Sequence, residues 1–209
     1  MTDPAPTLFA TARPLAKLPA VTKISLIRHA PARSDGRMAG RRDVGADCSD
    51  ATAIAALRMG LGAFDHLVIS PALRCAQTAS TLWPERAPDH SDTALWEQDF
   101  GDWEGLPYGD LPDLGPLPAS ALAAHCPPNG ESFADICARI QPALIRATAL
   151  GGHVAIVAHA GTARAGLALA TGSVPAALAF QIAPLSVTTL SMTAPDGAWS
   201  VAGVNRVFI

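Results

Sequence analysis

The sequence predicts an α/β fold: a three-layer sandwich whose central sheet is mostly parallel and carries helices on both faces. Two observations predict it. Three short runs, VTKISLI (21–27), HLVIS (66–70) and HVAIVA (153–158), combine β-branched and aliphatic residues with little polarity, the pattern of strands covered on both faces. Stretches with apolar residues at helical spacing separate those runs, and strands alternating with helices assemble into a parallel sheet. With 49% apolar residues over 209 positions, the chain can bury one sizeable core and is not a disordered polymer.

Taken in order, residues 1–20 carry Asp3, Pro4, Pro6, Pro14 and Pro19 and no continuous apolar segment. They predict an irregular arm rather than a secretory leader, followed by one domain over 21–209. The first strand is 21–27. Ser49 or Asp50 caps a helix running to about Gly62, with Ala51, Ile54, Ala55, Leu57 and Leu61 on its apolar side. After the second strand, SPALRCAQTASTLW (70–83) continues as a helix with Ser70 at the N-cap and Pro71 at N1, where a missing N–H costs nothing. From Trp83 to Asn129, Pro, Asp and Gly predict loops with short helical pieces.

Phe133, Ile136, Cys137, Ile140, Leu144 and Ala147 then recur at helical spacing, with Ser132 and Asp135 placed as a capping box. Pro142 inside that pattern predicts a kink or a break. The third strand leads into a helix from about Gly161 that stops at Gly172. PLSVTTLSMTA (184–194) and WSVAGVNRVFI (199–209) flank Pro195-Asp196-Gly197-Ala198, a hairpin signal between two closing strands.

Several function classes fall away. A net charge of −3 lacks the basic excess of a nucleic-acid binder, so any positive patch is local. No apolar run approaches the roughly 20 residues that cross a bilayer. Cys48, Cys75, Cys126 and Cys137 form no CxxC pair and have no histidine at metal-ligand spacing. They read as thiols of a reducing, cytoplasmic protein. No G-x-G-x-x-G follows a strand and no G-x-x-x-x-G-K-[ST] occurs, which removes the common nucleotide-binding loops.

Parallel sheets place ligands at the carboxyl ends of their strands, beside the helix N-termini that follow. All three predicted strands end in chemistry: Arg28-His29, Ser70-Pro71-Ala72-Leu73-Arg74, and Ala158-His159-Ala160-Gly161. Arg74 in a first helical turn opposes the helix dipole, so a packing role does not explain it. Two imidazoles and two guanidiniums at one sheet edge suit a tetrahedral anion such as phosphate, and helix-start N–H groups add to that pocket.

LIRHA (26–30), VISPALRCAQTA (68–79), LWEQDFGDWEGL (95–106) and VAIVAHAGTARA (154–165), in this order and spacing, resemble the histidine phosphatase superfamily, also called phosphoglycerate-mutase-like. The resemblance runs from about Val21 to the C-terminus and implies the phosphoglycerate-mutase-like fold. It implies His29 as the nucleophile that becomes phosphorylated, with Arg28, Arg74 and His159 binding the phosphoryl oxygens. Glu97 falls where the family keeps its proton donor, and Glu104 in the same motif is the alternative. No cofactor or metal is implied.

Within the superfamily, GRMAGRRD (36–43) and the short chain look most like alpha-ribazole phosphatases of cobalamin assembly. The expected function is therefore a metal-independent phosphomonoesterase acting on a small phosphorylated metabolite, alpha-ribazole 5'-phosphate being one candidate. The alternatives are a phosphoglycerate mutase-type phosphotransferase and a non-catalytic phosphate-binding relative. Arg37, Arg41 and Arg42 would contact substrate or form a solvated basic loop, and Trp96 would wall the substrate pocket. Ala30, Pro31 and Ala160 depart from the family pattern, which commonly has Gly at the first and third positions. The expected partner is a small-molecule phosphomonoester, with no nucleic acid and no membrane; the sequence leaves the oligomeric state open, a homodimer included.

Overall fold

The computed structural model describes residues 21–194 and 197–209. The predicted arm, and Pro195-Asp196 of the predicted turn, lie outside those residues.

The strands are β1 (Val21–Arg28), β2 (His66–Ile69), β3 (His90–Ser91), β4 (His153–Ala158), β5 (Val187–Thr193) and β6 (Ala198–Arg206). They form one six-stranded sheet in the order β3-β2-β4-β1-β5-β6. The pairs β3/β2, β2/β4 and β4/β1 are parallel. β5 and β6 close the sheet as the predicted antiparallel hairpin. The sheet is thus mixed and mostly parallel, as the alternating pattern required.

The helices are α1 (Ala51–Leu61), α2 (Leu73–Leu82), α3 (Ala119–Ala124), α4 (Phe133–Thr148), α5 (Ala160–Thr171) and α6 (Val174–Ala177). Alternation along the strands builds two cores, since successive side chains point to opposite faces. Ile24, Leu26, Val154 and Ile156 pack with Ile136, Ile140, Leu144 and Leu167 of α4 and α5. Ile27, Leu67, Ala155 and Val157 pack on the other face with Ile54, Leu57, Cys75 and Leu82 of α1 and α2. The central strands β1, β2 and β4 are buried on both faces, which explains their near-continuous apolar sequences.

The caps explain where most helices stop and start. Asp50 accepts from the N–H of Ala53 at the head of α1. Ser132 and Asp135 complete a reciprocal capping box on α4. Gly172 ends α5 at φ 69°, in the left-handed region that costs glycine least.

Three expectations are corrected. The helix after β2 starts at Leu73, not at Pro71. Ser70 is drawn into a bond with His159 Nε2 at 2.8 Å, and Asp43 accepts from the Leu73 N–H at 2.7 Å in its place. Pro142 does not break α4, which runs for 16 residues through it. Pro142 and Ala138, whose carbonyl loses its partner, both face solvent, and burial of Ile136, Ile140 and Leu144 on the opposite side exceeds the roughly 3 kcal/mol cost of an interior proline. The segment 83–129 is not wholly loop and short helix, because His90–Ser91 adds a parallel edge strand to β2.

Candidate active site

Strand register brings the predicted groups together. β2, β4 and β1 are neighbours in the sheet, with Arg28 opposite Ala158 and Ile69 opposite Val157. The residues that follow, His29, His159 and Ser70, therefore leave the sheet side by side. The His29 N–H donates to the Ala158 carbonyl at 2.9 Å, and the Ala30 N–H to Thr78 Oγ1 of α2 at 3.0 Å. Those bonds fasten the end of β1 to β4 and to α2. The rings of His29 and His159 meet edge to face at 5.2 Å between centroids.

His29 is buried, and its two nitrogens are differentiated. Nδ1 lies 2.6 Å from the Ala30 carbonyl, an oxygen that only accepts, so the ring proton is assigned to Nδ1. Nε2 then carries the lone pair, and it accepts from Arg74 Nε at 3.2 Å. Burial pulls the His29 pKa down to about 3, opposed by the hydrogen bond to the Ala30 carbonyl and reinforced by the charges of Arg74 and Arg28. The ring is neutral at pH 7, which is the form that can act as a nucleophile.

Arg74 is 1% exposed. Its Nη groups donate to the carbonyls of Gly40 at 2.7 Å and Arg42 at 3.0 Å, so the predicted cation in the first turn of α2 also holds the 40–42 loop over the pocket. Arg28 donates through Nη1 to the Ile182 carbonyl at 2.5 Å. Its buried Nε has no hydrogen-bond partner among the described residues and so retains a donor for an anion. Burial lowers the Arg28 pKa most, opposed by Glu97 and reinforced by Arg164 and Arg74.

His159 is held by Ser70 and stacks on Trp96 at 6.4 Å with an interplanar angle of 9°. Burial, then the charges of Arg74, His29 and Arg28, push its pKa well below the ordinary value. Cys75 Sγ lies 3.6 Å from His159 Nε2, and burial raises that thiol to about 12. It is an inert wall of the pocket rather than a second nucleophile.

Glu97, the expected donor, and Glu104, its alternative in the motif, have different surroundings. Glu97 Oε1 accepts from the Gln98 N–H at 3.0 Å, and Oε2 lies 3.5 Å from the Gly161 N–H at the start of α5. A Cβ on Gly161 would come 2.2 Å from Glu97 Oε1, so only glycine lets the carboxylate seat there. Glu104 accepts from the N–H groups of Arg41 at 2.6 Å and Phe100 at 3.1 Å. It ties two loops together.

The other predicted residues are engaged in the protein. Arg37 is exposed and donates to the Gly105 carbonyl at 2.9 Å. Arg41 pairs with Glu131 at 3.0 Å and lies 3.8 Å from Asp99. Arg42 donates to the Met38 carbonyl at 3.2 Å. Trp96 is packed between His159 and the Arg74 guanidinium, which lies 6.0 Å from its ring. The methyls of Ala30 and Ala160 are absorbed by the two cores.

Sequence reasoning missed the support of the Glu97 segment. Arg139 on α4 donates to the carbonyls of Ala94, Trp96 and Glu97 at 2.8, 3.0 and 3.2 Å, and it grips both oxygens of Glu131 at 2.9 and 2.7 Å. Nothing in the local pattern of α4 distinguishes Arg139 from a surface arginine. Among the described residues no three His, Cys, Asp or Glu side chains gather as a metal site, and no helix is long and apolar enough to cross a membrane.

The comparisons follow this geometry. The bifunctional protein Rv2228c of Mycobacterium tuberculosis is 32% identical over 176 residues, which are 80% of this chain and 46% of that protein; the chain spans about half the length of the curated relatives it matches. Among solved structures, mycobacterial hydrolase 2 superposes with a TM-score of 0.78 at 25% identity, covering 91% of this chain and 93% of its own. The mycobacterial glucosyl-3-phosphoglycerate phosphatase Rv2419c does so with a TM-score of 0.75 at 25% identity, covering 89% and 99%. The alpha-ribazole phosphatase of Shigella flexneri shares the fold, with a TM-score of 0.73 at 20% identity over 88% and 96% of the two chains. The model of the histidine phosphatase superfamily (branch 1) matches residues 24–206, a span that holds the sheet from Ile24 of β1 onward and every strand-end residue described above, and the chain belongs to that superfamily.

Proposed function

We propose that the chain is a phosphomonoesterase that works through a phosphohistidine at His29 and needs no metal. One observation carries this reading: a buried, neutral imidazole has its proton tied to the Ala30 carbonyl and its Nε2 lone pair turned toward Arg74.

Phosphoryl transfer depends on positioning and on charge at the equatorial oxygens. Arg28, with a spare Nε donor, Arg74 and His159 surround Nε2 and would hold those oxygens. An oxygen entering between Arg74 and His29 takes over the Nε–H of Arg74 and releases the lone pair. Nε2 attacks phosphorus, and the bond to the leaving oxygen breaks with its electron pair on oxygen, which takes a proton from Glu97. The resulting carboxylate then removes a proton from water. The water oxygen attacks phosphorus, and the P–N bond electrons return to Nε2.

The substrate is a small phosphorylated metabolite. Alpha-ribazole 5'-phosphate and glucosyl-3-phosphoglycerate are the first candidates, from the sequence resemblance and from the named structural relatives. Residues 21–209 act as one domain in this reading, and four free cysteines support a reducing, cytoplasmic setting.

The test is inorganic phosphate release from a metabolite panel in excess chelator, with acid-labile labelling of His29 from a radioactive phosphoester. Turnover and labelling that both vanish in His29→Ala support the reading; no release from any ester, or release without a labelled histidine, rejects it.

A further inference from the structure

The acid dictates where the rest of the substrate goes. If Glu97 protonates the leaving oxygen, the alcohol attached to that oxygen must extend past Glu97, away from His29. A cavity of about 210 Å³ lies there. Gln98, next to Glu97, and Arg164 both line it, and Arg164 follows Gly161 by one turn of α5, on the face that meets Glu97.

The walls are apolar and aromatic, with Phe100, Trp103, Leu122 and Leu178 among them. Two polar groups stand out against that lining. Arg164 Nε donates to the Phe180 carbonyl at 3.0 Å, while its Nη groups make no hydrogen bond or ion pair among the described residues. His125, stacked on Trp103 at 5.4 Å, has a buried Nε2 with no partner among the described residues. A half-buried guanidinium with free forked donors inside an apolar cavity matches a carboxylate, and the aromatic lining matches a ring.

Resting on the phosphatase reading above, we infer that this cavity receives the leaving alcohol and selects phosphomonoesters whose alcohol carries an apolar ring bearing a carboxylate. Arg164 is its charge-reading residue, and Leu122 and Leu178 are its apolar wall.

Three primary phosphoesters with similar leaving oxygens test this: ethyl, benzyl and 4-carboxybenzyl phosphate, with kcat/KM measured for each by phosphate release. Benzyl should exceed ethyl by about tenfold or more, and the carboxylate should add about another tenfold. Leu122→Asp, at a position 42% exposed on α3, should collapse the benzyl-to-ethyl ratio, and Leu178→Asp repeats the test from the opposite wall. Arg164→Met should erase the carboxylate increment alone, with Arg164→Lys restoring part of it. Equal kcat/KM for the three esters, or ratios that survive these substitutions, overturn the cavity assignment while the phosphatase reading stands. No turnover of any ester and no phosphohistidine would sink that reading instead, and this inference with it.

Discussion

Arg74 Nε lies 3.2 Å from His29 Nε2, and the Ala30 carbonyl holds the opposite nitrogen of the same ring at 2.6 Å. One ring is thus fixed in tautomer and direction by a single backbone oxygen and a single guanidinium, while burial keeps it uncharged. Arg74 is itself immobilised by the carbonyls of Gly40 and Arg42, so the His29 ring, its cationic neighbour and the loop above them form one rigid unit. Preorganised charge of this kind costs nothing to rearrange at the moment of reaction.

His29→Ala should lower phosphate release by at least about a thousandfold, because it removes the Nε2 lone pair held beside Arg74. Arg74→Lys should be nearly as damaging. An ammonium cannot reach His29 and two carbonyls in the plane that the guanidinium spans. A loss of about 1–3 kcal/mol in stability should accompany it, since two loop carbonyls lose a charged donor. Activity assays together with urea unfolding check both; an Arg74→Lys protein of normal activity would contradict the geometry.

Stability should fall with acid in a window set by the buried rings. The folded pKa of His29 is lowered from 6.5 to about 3, and that of His159 is lowered as well. Between those pH values the unfolded chain binds protons that the folded one refuses, so unfolding gains ground as pH drops. The stabilisation is complete above about 6.5 and is lost by about 3, and His29 alone accounts for roughly 5 kcal/mol of it. Urea midpoints from pH 7 to pH 4 should decline steeply in the wild type and more gently in His29→Gln. Parallel slopes would show that His29 titrates normally.

Glu97 and Glu104 separate by what their removal does. Glu97→Gln should lower kcat by about a hundredfold or more while leaving the fold intact. Glu104→Gln should mainly lower stability, by about 1–2 kcal/mol, because its oxygen caps the N–H groups of Arg41 and Phe100. Gly161→Ala is a third probe. The new methyl would meet Glu97 Oε1 at 2.2 Å and Ile136 Cδ1 at 2.7 Å, so kcat should drop although no reacting group is altered. The kcat and the melting temperature of each variant decide the assignment.

Strands β1, β2 and β4 were readable because they are buried on both faces and nearly continuously apolar, as Ile24, Leu26 and Ile156 show, whereas the exposed two-residue β3 carries no such signal. The convergence of Arg28, Arg74 and His159 was readable because they end strands or open helices, where charge has no packing reason to be. What stayed hidden depends on tertiary contacts. Ser70 looks like a cap for the helix after it, and only the neighbouring β4 shows that His159 claims its hydroxyl. Pro142 looks like a break, until the fold shows it on the solvent face of α4. The motif ranks Glu97 ahead of Glu104, but the contact between Glu97 and the Gly161 N–H emerges only once α5 is packed against the 95–106 segment.

Arg139 offers the sharpest test of how the acid is held. It supplies donors to the carbonyls of Ala94, Trp96 and Glu97 and to both oxygens of Glu131, so it fixes the backbone on which the acid stands. Burial pushes the Glu131 carboxyl up, but the Arg139 hydrogen bond, the Asp99 N–H and the charges of Arg139 and Arg41 hold it below its usual range. Arg139→Met strips the partners from three carbonyls and one carboxylate, and should cost about 2–4 kcal/mol. It should also lower kcat more than it raises KM, because the phosphate ligands on β1, α2 and β4 are untouched while the acid drifts. Glu131→Gln should do less damage. In the double variant the two losses should overlap, with a coupling of about 1–3 kcal/mol, since neither member of the pair is left as a charge without its partner. Strictly additive losses, or a kcat unaffected by Arg139→Met, would show that the 94–97 segment holds Glu97 in place without α4.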